Sequence, residues 1–388
     1  MLRDIFNRPL QDLRISVTDR CNFRCTYCMP LDEYEWLARK EILTFEEITR
    51  LARLFVALGV EKIRLTGGEP LARRDLHILI AKLSALENTP DICLTTNGSL
   101  LAERAAALKK AGLRRINVSI DSLNPDRFRQ ITKRGDLSTV LDGLFTAQQI
   151  GFHPIKINAV IERGVNDDEI LDLVSFCREH GFAMRFIEYM DVGNANNWHS
   201  EKMVSKKDIL ETIHARFPLR KIGREKGTAP AEDYQFLDGT GDVGVIASVT
   251  EPFCSTCTRA RLTADGKLVL CLFSQEGYDL KTLIRGGATD EEISEVLRSL
   301  WTQRKDRYSE ERLTADGKLV LCLFSQEGYD LKALLRQGAT DEEIIEVLRS
   351  LWTQRKDRYS EERLAALRSP TGYNPKEHRK IEMISLGG

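Results

Sequence analysis

An α/β fold, an incomplete (β/α)6-type TIM barrel, is predicted for residues 1–222 of this 388-residue chain. A C-terminal α+β region over residues 223–388 is predicted to follow it. Three observations carry this. Short apolar strands alternate with amphipathic helices from residue 13 to about 190, the pattern of a parallel sheet. Four of the strands have one apolar and one polar face, whereas the strands of a flat doubly wound sheet, the rival, are buried on both. The polar faces carry cations, so the lumen differs from a barrel interior packed with branched apolar side chains and is wide enough for a polar, anionic ligand.

In order, the strands are "LRISVTD" (13–19), "KIRLTGG" (62–68), "DICLTTNG" (91–98), "RINVSID" (115–121), "PIKINAVIE" (154–162) and "AMRFIEYM" (183–190). In the first, Leu13, Ile15 and Val17 oppose Arg14, Ser16 and Thr18; in the second, Ile63 and Leu65 oppose Lys62, Arg64 and Thr66. The fourth sets Asn117, Ser119 and Asp121 against Ile116, Val118 and Ile120, and the fifth sets Lys156 and Asn158 against Ile155 and Ile157. Between them lie helices such as "TFEEITRLARLFVALG", where Thr44 and Glu47 have capping-box spacing and Gly59 follows the last turn. From about residue 191 the pattern breaks, and "DVGNANNWHS" and "GREKGTAPAEDYQFLDGTGD" are expected to be loop-rich.

Apolar content of 42% and charged content of 30% describe a globular chain, and a net charge of −1 provides no global field for nucleic acid. The N-terminal "MLRDIFNRPLQDLR" has no apolar core, and no run of 18 apolar residues follows. Neither a signal peptide nor a membrane span is expected, and the cytoplasm is the expected compartment. Nine cysteines in a reducing compartment point to metal or redox chemistry rather than disulfides.

Cys21, Cys25 and Cys28 form C-x3-C-x2-C directly after the first strand, the end of a barrel strand where catalytic loops sit. Zinc would take a fourth ligand, and the nearest histidine, His77, is far along the chain. Three thiolates suit a [4Fe–4S] cluster with one iron open to a ligand. Cys254, Cys257 and Cys271 form a second set, C-x2-C-x13-C, with Arg259 and Arg261 between the ligands. Two arginines beside a cluster can clamp a phosphate bidentately. Cys93 and Cys177 lie in apolar stretches and are expected to be buried packing residues.

The first cysteine motif, with Tyr27 before its last cysteine, resembles that of the radical S-adenosylmethionine enzymes, and "LTGGEP" (65–70) resembles their glycine motif. "FCSTCTRARLTADGKLVLCLF", "IEYMDVGN", "TTNG" and the terminal Gly387–Gly388 are similar to motifs of the GTP 3′,8-cyclase family, and the resemblance covers nearly the whole chain. That resemblance implies two [4Fe–4S] clusters, on Cys21, Cys25 and Cys28 and on Cys254, Cys257 and Cys271. It implies that Tyr27, Gly68, Ser119 and Met190 contact S-adenosylmethionine. It implies that Arg14, Arg64, Thr95, Lys156, Arg259 and Arg261 bind GTP, and that Gly387 and Gly388 reach into the active site. The implied reaction forms 3′,8-cyclo-7,8-dihydro-GTP, the first step of molybdenum cofactor biosynthesis. An electron-donor protein supplies the reducing equivalent, and cyclic pyranopterin monophosphate synthase takes the product. Two other readings stay open at this point: a peptide-modifying radical S-adenosylmethionine enzyme with an auxiliary cluster, and an inactive, duplicated metal-binding paralogue.

The duplication is explicit in the sequence. Residues 261–311 recur as 312–362 with four differences, Thr282/Ala333, Ile284/Leu335, Gly286/Gln337 and Ser294/Ile345. Each copy predicts a hairpin around Asp-Gly and then a helix opened by Thr289-x-x-Glu292 or Thr340-x-x-Glu343. Cys271 keeps the short spacing to Cys257, whereas Cys322 has no C-x2-C of its own, so Cys271 is the expected ligand. Two copies are too few for a solenoid. The extra apolar helix face (Ile344, Val347, Leu348, Leu351, Trp352) is expected to form a protrusion or a homodimer surface.

Overall fold

A computed structural model describes residues 1–191, 198–274 and 276–304, with short strands and single positions between 312 and 347. These fall into one compact unit, Met1–Gln303, and a second within Arg304–Asn374.

The first unit runs β1 (Asp12–Ser16), α1 (Phe45–Ala57), β2 (Lys62–Thr66), α2 (Leu76–Ser84), β3 (Asp91–Thr96), α3 (Leu101–Lys110), β4 (Arg115–Ser119), α4 (Pro125–Thr132), α5 (Leu137–Gln149), β5 (Ile155–Ile161), α6 (Ile170–His180) and β6 (Ala183–Glu188). It continues through α7 (Lys206–Arg216), β7 (Leu219–Gly223), β8 (Glu232–Phe236), β9 (Asp242–Ile246), β10 (Arg259–Leu262), β11 (Lys267–Val269), β12 (Tyr278–Asp279), α8 (Leu280–Arg285) and α9 (Asp290–Thr302).

Strands β1 to β6 lie side by side in chain order and are parallel, as the alternating pattern predicts. β10 joins the free side of β1 and β9 the free side of β6, both parallel. Antiparallel strands continue from each, ending at β12 and β7, so the sheet stays open. This is the incomplete barrel. Leu13, Ile15, Ile63, Leu65, Ile116 and Val118 are fully buried under the helices. α1 answers them with Ile48, Leu51 and Phe55, and its capping box closes as expected, Thr44 N–H donating to Glu47 Oε2 at 2.7 Å.

The second stretch expected to be loop-rich holds strand β8, and β9 begins at its last residue. Glu232, Tyr234 and Phe236 alternate inward along β8. The fully buried Glu188 at the end of β6 accepts the backbone N–H groups of Lys206, Val249 and Thr250 at 2.8, 2.8 and 2.9 Å. One carboxylate thereby ties β6 to α7 and to the segment leading to Cys254.

Glu232 accepts from Lys206, from Tyr234 at 2.6 Å and from Lys221 at 2.7 Å. Burial opposes its ionisation, but these donors outweigh burial and hold its pKa at about 2, below the ordinary 4.5. A depressed carboxylate adds stability above its unfolded pKa and loses it as pH falls through the folded one. Glu232→Gln is therefore expected to cost about 3 kcal/mol at pH 6. Its deficit in Tm should narrow as pH falls from 4.5 towards 2, followed by circular dichroism melts. A deficit constant over that range would refute the assignment.

The first repeat copy is part of this unit. Arg50 pairs with Asp290 at 2.7 Å and Arg285 with Glu47 at 2.7 Å, fastening α8 and α9 to α1. Ile293, Leu297 and Trp301, the first copy's counterparts of Ile344, Leu348 and Trp352, are buried. The second unit repeats the hairpin: β13 (Arg312–Leu313), β14 (Lys318–Val320) and β15 (Tyr329–Asp330). Arg312 pairs with Val320 as Arg261 pairs with Val269, and Leu319 with Tyr329 as Leu268 with Tyr278. Its capping box also closes, Thr340 N–H donating to Glu343 Oε2 at 2.8 Å. Cys322, Gly387 and Gly388 lie outside the described residues, as do Leu348, Leu351 and Trp352.

Candidate active site

Each candidate side chain sits where the strand pleat puts it. Arg14 is in register with Arg64 on β2 and with Arg261 on β10, so three guanidiniums line one row of the polar face. Arg259, two residues before Arg261 on the same strand, shares that face. Arg64 donates to Thr95 Oγ1 at 3.0 Å, bringing Thr95 into the same cluster. Burial, then the charges of Arg261, Arg64 and Arg259, push the Arg14 pKa well below its ordinary value, with Asp12 the opposing charge. Burial and Arg259 pull Arg261 down to about 10, against the thiols of Cys257 and Cys271. Four converging cations and one threonine describe a receptor for a multiply charged anion.

Lys156 keeps different company. Burial, followed by Arg185, lowers its pKa, with Glu225 and Asp233 the opposing charges. Ser119, at the end of β4, is in register with Asn158. Met190 is half-buried just beyond β6.

The first cysteine loop follows β1. Cys28 N–H and Met29 N–H both donate to Cys25 O, at 3.1 and 2.8 Å, turning the chain tightly. Arg24 N–H and Thr26 N–H donate to Thr132 O and Ile131 O, both at 3.0 Å, hanging the loop from the end of α4. Phe23 N–H points at Cys21 Sγ, 3.4 Å away. Burial raises the Cys25 thiol, followed by Asp121, Cys28 and Cys21, so the three sulfurs sit within each other's electrostatic reach. All three are free thiols. Mutually opposed thiolates are a donor set that a polynuclear cation relieves, and the residues fit an iron–sulfur cluster on that ground. Among the described residues no three His, Cys, Asp or Glu side chains are gathered around a single metal ion as they stand.

The second set is assembled the same way. Cys257 N–H donates to Cys254 O at 3.1 Å, and Arg8 donates to that carbonyl at 2.8 Å. Cys271 follows β11, and both Cys257 and Cys271 act on Arg261. The donor set again fits a cluster, here beside the arginines.

The glycine motif packs directly against the backbone of Thr18 and Arg20. A Cβ on Gly68 would lie 2.2 Å from Arg20 O, and one on Gly67 (φ +134°) 2.4 Å from Thr18 O. The turn after β2 is pressed against the chain entering the cysteine loop, which only glycine permits. Next to it stands Glu69, to which the sequence motifs assign no role. It is buried and accepts from Thr96 Oγ1, Asn97 N and Leu71 N at 2.7, 2.7 and 2.9 Å. Burial outweighs those donors and raises its pKa to about 7. Asn97 passes the link on to Asn22 Oδ1 at 2.9 Å.

Asp121, on the polar side of β4 by alternation, carries no motif either. It accepts the Tyr27 hydroxyl at 2.7 Å. Cys93 is a correction: it is buried, but on the polar face, in register with Arg64 and Arg115 and 3.6 Å from Asp91 Oδ2. Its apolar neighbours Ile92 and Leu94 face the other way. Cys177 is the packing cysteine expected, 3.5 Å from Met184 Sδ within the apolar core.

The Radical SAM superfamily model matches residues 15–177, and the Molybdenum Cofactor Synthesis C model matches residues 182–310 and again 309–361. A GTP 3′,8-cyclase of Acidothermus cellulolyticus is 49% identical over 326 residues, covering 81% of this chain and 90% of that protein. A GTP 3′,8-cyclase of Staphylococcus haemolyticus is 48% identical over 317 residues, covering 80% and 93%. Among solved structures, Streptococcus suis SuiB bound to its precursor peptide SuiA superposes with a TM-score of 0.54 at 16% identity, over 76% of this chain and 65% of SuiB. That likeness is one of fold. Among the described residues no helix is long and apolar enough to cross a membrane.

Proposed function

Since this chain belongs to the GTP 3′,8-cyclase family of radical S-adenosylmethionine enzymes, we propose the division of labour by which its own residues convert GTP to 3′,8-cyclo-7,8-dihydro-GTP. The observation that carries the reading is the convergence of Arg14, Arg64, Arg259 and Arg261 beside Cys257 and Cys271. When bound, the first cluster and S-adenosylmethionine supply the radical chemistry that starts at C3′ of the nucleotide.

Cys21, Cys25 and Cys28 would hold that cluster, and Tyr27, Gly68, Ser119 and Met190 would contact the sulfonium cofactor. Arg14, Arg64, Arg259 and Arg261 take the triphosphate, and Thr95 orients Arg64. Lys156 neutralises charge from the opposite wall. Cys254, Cys257 and Cys271 would hold a second cluster, which when bound would supply an open iron site as a ligand for the guanine base. Fixing both ends of the nucleotide sets C3′ and C8 for attack within one molecule. By the family resemblance Gly387 and Gly388, which lie outside the described residues, would reach into the active site. An electron-donor protein and a downstream cyclic pyranopterin monophosphate synthase complete the sequence.

Anaerobic incubation with dithionite, S-adenosylmethionine and GTP tests it. The expected products are 5′-deoxyadenosine and the cyclised nucleotide. 5′-Deoxyadenosine without cyclised GTP would assign another substrate, and neither product would refute the enzymatic reading.

A further inference from the structure

We propose that Asp121 is the positioning residue of the S-adenosylmethionine site: it holds the Tyr27 ring, and with it the Cys25–Cys28 turn, against the ends of β4 and β5. The proposal rests on the functional reading, which places Tyr27 at that site. Asp121 and Tyr27 are 94 residues apart in sequence.

Both carboxylate oxygens of Asp121 are engaged. Oδ2 accepts the Tyr27 hydroxyl at 2.7 Å, and Oδ1 accepts Val160 N–H at 2.8 Å. The carboxyl group thus bridges a side chain of the cysteine loop to the backbone of β5. Asp121 is itself clamped. Its carbonyl accepts from the buried Asn166 Nδ2 at 2.7 Å, and that amide also donates to Val160 O at 2.9 Å. Asn166 Oδ1 accepts Glu162 N–H at 2.8 Å, closing the ring of contacts on the strand. A buried acceptor held from both sides transmits its position to whatever it binds.

The cysteine loop needs such an anchor. Its backbone tethers, from Arg24 and Thr26, run to the end of α4 and fix the first half of the loop. Tyr27 ties the second half to the sheet, on the side where Ser119 stands. A ring that keeps its burial but loses its hydroxyl bond keeps packing and loses its angle. Positioning and folding are separable on that ground.

The test uses the full chain, reconstituted anaerobically, as parent, Tyr27→Phe, Asp121→Asn, Asp121→Leu and the Tyr27→Phe/Asp121→Leu double. Equilibrium dialysis measures S-adenosylmethionine affinity, and iron analysis measures cluster content. Tyr27→Phe and Asp121→Leu are each expected to weaken binding about tenfold with iron unchanged. The double is expected to lose less than the product of the two single losses, because the Tyr27–Asp121 bond is already gone in each single. Asp121→Asn is expected to keep most of the affinity, its Oδ1 taking Val160 N–H and its Nδ2 facing the phenol oxygen. Tyr27→Phe binding as tightly as the parent would overturn the proposal, as would losses that multiply in the double. Tyr27→Phe removes one oxygen, so it decides the matter even where Asp121→Leu does not fold. A parent that binds no S-adenosylmethionine overturns the functional reading and this proposal together. A parent that binds, with an equally competent Tyr27→Phe, overturns this proposal alone.

Discussion

Cys271→Ala is expected to halve the iron of the reconstituted chain, from about eight to about four per molecule, and Cys322→Ala to leave it unchanged. Spacing alone favours Cys271, and the structure adds a stronger reason. β10 enters the sheet as Arg259–Leu262, with Ala260 fully buried in register with Leu13. Fifty-one residues on, Glu310 and Glu311 precede the second copy where Arg259 and Ala260 precede the first. A carboxylate in Ala260's place would be buried against Leu13 without a partner, at a cost of several kcal/mol. The second copy repeats the hairpin but lacks the strand start that docks it on β1. It also lacks an arginine in Arg259's place, while Arg312 keeps that of Arg261. Excision gives the complementary arm. Removing 312–362 or removing 261–311 leaves the same 337 residues at all but four positions, since 388 less 51 is 337. Both shortened chains are expected to hold about eight iron. Iron lost in Cys322→Ala, or retained in Cys271→Ala, would assign the ligand to the second copy.

The part of the fold legible in the sequence is the part that alternates. Leu13 and Ile15 against Arg14 and Ser16 announce a strand with a polar lumen face, because the pleat has a period of two. The same rule applied to "EDYQF" finds β8, but the surrounding Gly, Pro and Asp residues signal turns and mask five alternating positions. Cys93 misleads because its chain neighbours are apolar; its surroundings are set by register with Arg64 and Arg115, which sequence proximity does not show. Glu69 carries a faint signal, since a carboxylate fixed between Gly68 and Pro70 has little freedom to reach water. The Asp121–Tyr27 bond has no local signal at all. Two polar residues far apart in the chain meet because β1 and β4 end at the same side of the sheet. The cysteine motifs are legible for the opposite reason, as their ligands are close in sequence and their chemistry admits few alternatives.

Arg14→Gln is expected to weaken GTP binding about 100-fold and at the same time to raise the Tm of the nucleotide-free protein. The two effects share one cause. Burial, with Arg261, Arg64 and Arg259 adding repulsion, pushes the Arg14 pKa well below its ordinary value. A base whose pKa falls on folding is charged more readily in the unfolded chain, so at neutral pH its charge works against the fold. Replacing that charge with a neutral amide of similar reach removes the penalty and raises Tm, by about 2–4 °C for each kcal/mol relieved. The same repulsion is what an incoming triphosphate discharges. In the parent, GTP at 100 times its Kd is expected to add about 2.7 kcal/mol to stability. In Arg14→Gln at the same concentration the upshift should nearly vanish, because the occupancy term falls with the affinity. Melts of both proteins with and without GTP read both effects at once. A variant that melts lower than the parent without nucleotide would mean that Arg14 is a structural cation balanced by Asp12, and an undiminished GTP upshift would move the triphosphate to other residues. Either result would separate what the geometry joins: a cluster of cations that the fold tolerates at a cost because its ligand removes that cost on binding.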